Sequence, residues 1–252
     1  MLPVQGMKIR VINPNTTAAM TAAIGRSAAA VVATGTVIDA VQPTFGAPAI
    51  EGHHDDVWAA AGVAEQVLAG EADGVDGYVI ACFGDPGLHA ARELARGPVV
   101  GIAEAGFHAA SFLATGFSVV TTLERTCVIA RHLVIQYGFE RQCRGIHATQ
   151  LEVLELEQPG SDAFARIAAC ARDALAQDRS GAIVLGCAGM AGLCARLQME
   201  LGVPVIDGVT VAVKLVESLV RLGLGTSKRG DYALPLPKQY AGLAAPFSPL
   251  RD

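Results

Sequence analysis

The sequence predicts an α/β protein of two pseudo-symmetric lobes, each a parallel sheet flanked by helices, with a candidate active site in the interlobe cleft. Three observations carry this expectation. Short apolar, β-branched runs alternate with Ala- and Leu-rich segments along the chain, the pattern of parallel strands covered by helices. The pattern then repeats with a period of about 105 residues. Finally, Tyr78-Val79-Ile80-Ala81-Cys82-Phe83-Gly84-Asp85-Pro86-Gly87-Leu88 is answered by Ile183-Val184-Leu185-Gly186-Cys187-Ala188-Gly189-Met190-Ala191-Gly192-Leu193. Both segments are an apolar run followed by Cys-x-Gly-x-x-Gly-Leu, so Cys82 and Cys187 stand in matching places.

The elements follow in order. A first strand is expected at 8–13, after which Asn15, Thr16 and Thr17 supply capping oxygens for an Ala-rich helix to about residue 32. A strand at 36–41 leads into a Pro- and Gly-containing loop, 42–52, and a helix over about 55–70. The strand 77–82 ends at the first cysteine; a helix from about Pro86, a strand 98–102 and a helix 104–115 complete the first half. The second half runs strand 117–121, helix 123–137, strand 143–148, helix 162–177, strand 181–186, helix 190–201, strand 203–206 and helix 209–223. Pro98-Val99-Val100-Gly101 corresponds to Pro204-Val205-Ile206-Asp207, and Phe117-Ser118-Val119-Val120-Thr121-Thr122 to Ile9-Arg10-Val11-Ile12-Asn13-Pro14. The expected organisation is therefore an N-terminal lobe over 7–115, a C-terminal lobe over 116–225 and a tail over 226–252. The Pro-rich end of that tail is expected to wrap the surface or fray.

Composition excludes several function classes. The 252 residues are 52% apolar and 17% charged, enough for a large core. The net charge is −5 without a Lys or Arg run, which disfavours nucleic acid and anionic membrane surfaces as partners. No apolar stretch approaches the roughly 18 residues that span a bilayer, and residues 1–6 lack the charged and apolar regions of a secretory signal. Six cysteines occur without a CxxC pair or zinc-type Cys/His spacing, so free thiols in a reducing cytoplasm are expected, with no metal. His53-His54-Asp55-Asp56 are neighbours that face different ways on a helix start and read as solvated capping.

Ligands of open parallel sheets sit beyond the carboxyl ends of the strands. Four segments end there with polar or small residues: Asn13-Pro14-Asn15-Thr16, Cys82-Phe83-Gly84, Thr121-Thr122 and Cys187-Ala188-Gly189. Taken singly, the asparagines and threonines serve equally as caps; their pairing by the repeat favours a site. Each cysteine is expected between a strand and a helix N-terminus, where N–H groups and the dipole lower a thiol pKa. Gly84 and Gly189 would let a ligand approach the backbone, and Phe83 would wall the pocket or seal the core. Two thiols facing one carbon suit removal of a proton from one face and its return to the other. Cys127, Cys143, Cys170 and Cys194 read as packing residues, Asp85 as the cap of the helix at Pro86, and Glu104 and Asp207 as groups that orient the ligand or hydrogen-bond to a residue that does.

The chain also resembles a known family. The opening Val-Ile-Asn-Pro-Asn-Thr, the Ala-Cys-Phe-Gly-Asp-Pro-Gly-Leu block, Gly101-Ile102-Ala103-Glu104-Ala105, Val119-Val120-Thr121-Thr122, Leu185-Gly186-Cys187-Ala188-Gly189-Met190 and Pro204-Val205-Ile206-Asp207-Gly208 together resemble the hydantoin and allantoin racemases. These belong to the cofactor-independent aspartate/glutamate racemase superfamily. The resemblance covers about residues 8–232. It implies a two-lobed enzyme with one interlobe site, Cys82 and Cys187 as acid and base, no cofactor, and homo-oligomers. The amino-acid racemases of that superfamily carry Cys-Asn-Thr and Cys-Thr-His at the two cysteines. Phe83-Gly84 and Ala188-Gly189 stand there instead, which favours a small neutral hydantoin ring over an amino acid.

The expected substrate is a 5-substituted hydantoin, allantoin foremost, with Asn13, Thr121, Thr122 and the backbone around Gly84, Ala188 and Gly189 as binding groups. The loop 42–52 has no counterpart in the second half, and its Pro43, Phe45 and Ile50 are expected to contact the C5 substituent. Two other readings remain. A maleate isomerase-like enzyme fits the fold, but the strand ends lack the Arg or Lys that a dicarboxylate needs. A two-lobed module that binds without reacting explains the duplication but not the matched cysteines.

Overall fold

The computed structural model describes residues 6–158 and 160–249. Residues 1–5, read above for a secretory signal, and 250–252, the end of the tail, lie outside the described residues. The elements alternate as β1 (Met7–Ile12), α1 (Ala18–Ala29), β2 (Thr36–Val41), α2 (His53–Ala72), β3 (Gly77–Ile80), α3 (Leu88–Leu94), β4 (Val99–Gly101) and α4 (Ile102–Leu113). They continue as β5 (Phe117–Thr121), α5 (Glu124–Gln136), β6 (Cys143–Ala148), α6 (Ala163–Asp178), β7 (Ala182–Leu185), α7 (Cys194–Leu201), β8 (Val205–Asp207) and α8 (Gly208–Arg221).

Two four-stranded sheets result, ordered β2-β1-β3-β4 and β6-β5-β7-β8. Every pairing is parallel. The second order is the first shifted by four strands, so the internal repeat of the sequence is a repeat of topology. Strands β3 and β7 are buried along their whole length, and the two-residue alternation of a strand divides their side chains between faces. Val79 and Val184 join one core that runs through both sheets. Tyr78 and Ile80 face a separate cluster under α2 and α3, and Ile183 and Leu185 a third with α6 and α7.

The lobes interlock by exchanging helices. Helix α4, which closes the first half, packs on β7 and β8, and α8, which closes the second, packs on β3 and β4. Glycines permit the close approach: a Cβ on Gly77 would fall 2.5 Å from Val216 Cγ1, and one on Gly208 2.3 Å from the Ile102 carbonyl. Edge strands β4 and β8 are thereby buried, removing the pairing edge each would expose.

The reading differs from the structure where helices follow the cysteines. The helix expected from Pro86 starts only at Leu88, because Asp85 (φ 43°) and Gly87 (φ 68°) both take left-handed conformations that no right-handed helix accommodates. After Cys187 comes a 3-10 segment, Ala188–Leu193, before α7. Its two glycines, Gly189 and Gly192, disfavour a regular α-helix there.

Glu217 of α8 holds the exchanged helix to the first half. Its buried carboxylate accepts from the Ala33 N–H at 3.0 Å and the Thr36 hydroxyl at 2.6 Å, and it pairs with Lys214 and Arg221. Burial works against its charge, but Lys214, Thr36 and the Ala33 N–H prevail and hold its pKa down at about 2. A carboxyl depressed in the folded state adds stability above its free pKa of 4.5 and loses it as pH falls through about 2. Glu217→Gln, which keeps acceptor capacity but not the ion pairs, is expected to cost about 1–2 kcal/mol at pH 7. The difference from the parent should shrink in denaturant melts between pH 4.5 and 2; a constant difference would contradict this role.

Tail residues 226–232 lie along α3. Thr226 bonds the Arg96 and Gly97 carbonyls, Lys228 the Arg92 and Glu93 carbonyls, and Tyr232 stacks on His89. No helix among the described residues is long and apolar enough to cross a membrane.

Candidate active site

The loops leaving β3 and β7 open into one cavity at the carboxyl ends of the strands, and Cys82 and Cys187 both line it. It is small, with about 50 Å3 open to the centre of a water-sized group, a size for a small molecule and not for a polymer. The tips of β1 and β5 close its base. At β1, Asn13 and Asn15 are buried and bonded to each other: Asn13 Nδ2 donates to Asn15 Oδ1 at 2.8 Å and to Thr21 Oγ1 at 3.0 Å. At β5, the Thr121 hydroxyl donates to the Gly186 carbonyl at 3.1 Å, fixing the strand end that presents Cys187. Thr122 lies at the cavity with a longer 3.5 Å approach to Thr126.

Of the residues expected at the site, Asn13, Ile50, Cys82, Phe83, Gly84, Thr121, Thr122, Cys187 and Ala188 line this one cavity. Phe83 both walls it and seals the core, meeting Phe107 edge-on with ring centroids 5.6 Å apart. Gly189 lies just behind the lining, where a Cβ would sit 3.7 Å from Cys187 Sγ and 3.1 Å from Leu156 Cδ1. Pro43 and Phe45 do not reach it. Pro43 packs on α2 at Gly62, and Phe45 stands edge-on to Phe247 in a surface depression with His54 and Trp58. The loop is tied down between them and the cavity, because the Ala47 and Pro48 carbonyls accept from Thr16 and Thr17. Only its far end, Ile50, turns inward. There Glu51 Oε1 accepts from the Val153 N–H at 3.0 Å, so the rim from the first half is fastened to the rim from the second.

The expected lowering of the thiol pKa does not hold at Cys82. Burial pushes the thiol well above its ordinary value, the Gly84 N–H opposes this, and Cys187, Asp56 and Asp85 add to the rise. The helix dipole contributes little because α3 begins six residues after Cys82 and Cys187 caps a 3-10 segment. The influence of Cys187 on Cys82 has a chemical consequence. Two sulfurs in one small cavity resist carrying two charges at once, so a thiolate at one disfavours a thiolate at the other. Cys127, Cys143, Cys170 and Cys194 lie outside the lining, and burial raises each to about 11.

Asp85 does not cap the helix after Pro86. Its buried carboxylate accepts from the Ala103 and Glu104 N–H groups at 3.1 and 3.0 Å, at the start of α4, and from the Tyr137 hydroxyl at 2.9 Å. The second half does the same job differently. Asp207, at the end of β8, accepts from Val209 and Thr210 N–H at 2.9 and 3.0 Å and caps its own helix, α8. The residue equivalent to Asp207 is Gly101, where a Cβ would fall 2.2 Å from Asp85 Cγ. The loop after Cys82 thus lends its aspartate to a helix whose own cap is a glycine. Neither Asp207 nor Glu104, which pairs with Arg92 at 2.5 Å, lines the cavity.

Asn15, read within the polar segment at the end of β1, lines the cavity as well, while Met20, Asp56, Thr126, Ile129 and Val153 also line it but were not assigned to it from sequence. Thr126 and Ile129 share a face of α5, a spacing visible beforehand; only the fold shows that this face meets the cleft. Asp56 was read as solvated capping, and is instead half-buried at the cavity wall. Burial raises its pKa, with His53 opposing. It is the one charged side chain on the lining among the described residues.

Comparison with known proteins agrees with this geometry. The model of the Asp/Glu/Hydantoin racemase family matches residues 9–216. A hydantoin racemase of Rhizobium meliloti is 49% identical over 236 residues, 94% of this chain and 98% of that protein. The solved allantoin racemase of Klebsiella pneumoniae superposes with a TM-score of 0.95 at 57% identity, covering 97% of this chain and 100% of that one. The allantoin racemase of Pseudomonas fluorescens gives 0.90 at 42% identity, covering 94% and 100%. With a family match over most of its length and matched cysteines at one cavity, the chain belongs to the Asp/Glu/Hydantoin racemase family.

Proposed function

We propose that the protein is a cofactor-independent racemase of 5-substituted hydantoins, with allantoin as substrate and Cys82 and Cys187 as the two proton-transfer groups. The observation that carries this reading is that thiols from equivalent loops of the two halves line one small cavity. C5 of a hydantoin bears a hydrogen next to a ring carbonyl. One cysteine, as thiolate, takes that proton, and the C–H electron pair delocalises onto the carbonyl oxygen as an enolate. The other, as thiol, delivers a proton to the opposite face, and thiol and thiolate have exchanged places. The enantiomer is processed with the roles reversed.

A donor aimed at the enolate oxygen contributes about 3 kcal/mol to such a transition state. The Thr121 hydroxyl is engaged with Gly186, so its part is to hold the β7 end in place. Thr122 and the backbone N–H groups beside Gly84 and Ala188 are the donors of this proposal. The same reading carries a cytoplasmic homo-oligomer needing no metal, built from lobes over 7–115 and 116–225 and a tail over 226–252. A maleate isomerase-like activity is disfavoured by the lining, whose single charged group among the described residues, Asp56, repels a dicarboxylate.

Polarimetry on one enantiomer of allantoin tests the proposal. Optical rotation is expected to decay to zero while total allantoin stays constant. Constant rotation with active-site thiols reduced, or decay matched by loss of substrate, would reject it.

A further inference from the structure

We propose that Asp56 selects the C5 substituent of the substrate, favouring substituents that carry N–H donors, as a ureido group does, over hydrocarbon ones. This inference rests on the racemase reading above and gives it a specificity determinant. In space, Asp56, Ile129 and Cys82 converge on the bare backbone of Gly84. A Cβ on Gly84 would stand 3.6 Å from Asp56 Oδ1, 3.7 Å from Ile129 Cγ2 and 3.9 Å from Cys82 Sγ. The absence of a side chain leaves that position to a ligand. Whatever is bonded to the carbon facing the Cys82 sulfur falls beside the Asp56 carboxylate.

The chemistry of that wall is one-sided. Ile129 meets the same position, Ile50 and Val153 on the same lining are apolar too, and no described residue donates a hydrogen bond to the Asp56 side chain, on which His53 acts only as a nearby charge. The nearby polar side chains differ in this respect, since Asn13 and Asn15 satisfy each other. A half-buried carboxylate with open acceptor positions costs free energy until a donor arrives, and a ligand N–H supplies one. The ring carbonyl is a poor candidate to face Asp56, because negative charge develops on it during proton transfer and a carboxylate would oppose that charge. The group beside Asp56 is therefore a donor; the ring N–H on C5 is common to all 5-substituted hydantoins, and a ureido substituent adds several more where an alkyl substituent adds none.

The test measures kcat/KM for racemisation of allantoin and of 5-isopropylhydantoin by the parent, Asp56→Asn and Asp56→Ala, with melting curves for each protein. Asp56→Ala is expected to lose about 100-fold in its preference for allantoin over the isopropyl substrate, the scale of a lost specific hydrogen-bonding site. Removing the charge also eases ionisation of Cys82 for both substrates, so the ratio of the two kcat/KM values is the readout. Asp56→Asn keeps one acceptor oxygen and the residue's shape, and should lose about tenfold in that ratio. It carries the test if the alanine variant does not fold. Equal losses on both substrates would place Asp56 against the ring and overturn the inference, as would no loss on either. A parent that racemises neither substrate would overturn the racemase reading beneath it, a result distinguishable from any pattern among the variants.

Discussion

Cys82→Ser and Cys187→Ser are each expected to lower racemisation of a hydantoin by about 10³-fold or more, within the range ascribed to general acid–base groups and beyond the loss of one binding contact. A serine hydroxyl is too weakly acidic to supply a base at neutral pH, yet it matches the thiol in shape, so the cavity should persist. The informative result is asymmetry. Each variant keeps one cysteine and should still exchange the C5 hydrogen of one enantiomer with deuterated solvent. The two variants should prefer opposite enantiomers. Circular dichroism follows racemisation, and proton NMR in deuterated water follows exchange. A serine variant that racemises at near the parent rate would refute the two-thiol mechanism.

The same chemistry predicts a pH dependence. Burial, together with Cys187, Asp56 and Asp85, holds the Cys82 thiol above its ordinary value against the Gly84 N–H. Only the thiolate is a base, so kcat/KM for the enantiomer deprotonated by Cys82 should rise with pH through neutrality, by up to about tenfold per unit. A rate independent of pH from 6 to 9 would show that Cys82 is not the titrating base.

The second large effect concerns the borrowed cap. Asp85→Ala is expected to destabilise the protein by about 3–4 kcal/mol, because it orphans two buried N–H groups of α4 and the Tyr137 hydroxyl. For a chain of this size that is a fall in Tm of about 10 °C. Activity should fall as well, since the loop carrying Cys82 loses its anchor. Gly101→Asp has opposite effects in two backgrounds. Alone it is strongly destabilising, as its Cβ would meet the Asp85 carboxylate at 2.2 Å. Combined with Asp85→Ala it restores an aspartate where the second half has Asp207, accepting from Ala103 and Glu104 N–H, and should recover about half the loss. Thermal melts of the four proteins give the coupling directly. A Gly101→Asp that destabilises both backgrounds equally would disprove the equivalence.

Local patterns carried most of the fold. The alternation of strands and helices follows from apolar runs whose ends coincide with Gly, Pro and capping residues, and such signals act over a few neighbours. The identical orders β2-β1-β3-β4 and β6-β5-β7-β8 follow from a repeat that side chains display at matching positions. The cysteines were legible for the same reason: a strand end in one half has a counterpart in the other. Pro43 and Phe45 were misplaced because a loop path depends on its attachments, here the carbonyls of Ala47 and Pro48 held by Thr16 and Thr17. Asp56 was missed because a carboxylate in a helix's first turn looks alike in water and at a cavity wall.

What the sequence determined by itself was therefore the order of elements, their duplication and the matched placing of Cys82 and Cys187 at strand ends, all encoded in short-range pattern and its recurrence. Tertiary structure alone decided that α4 and α8 trade places between sheets, that Asp85 caps a helix from a distant loop, and that Asp56 lines the same cavity as the two cysteines. Each of these depends on packing between segments tens of residues apart, where burial and steric fit, rather than neighbouring residue types, set which groups meet.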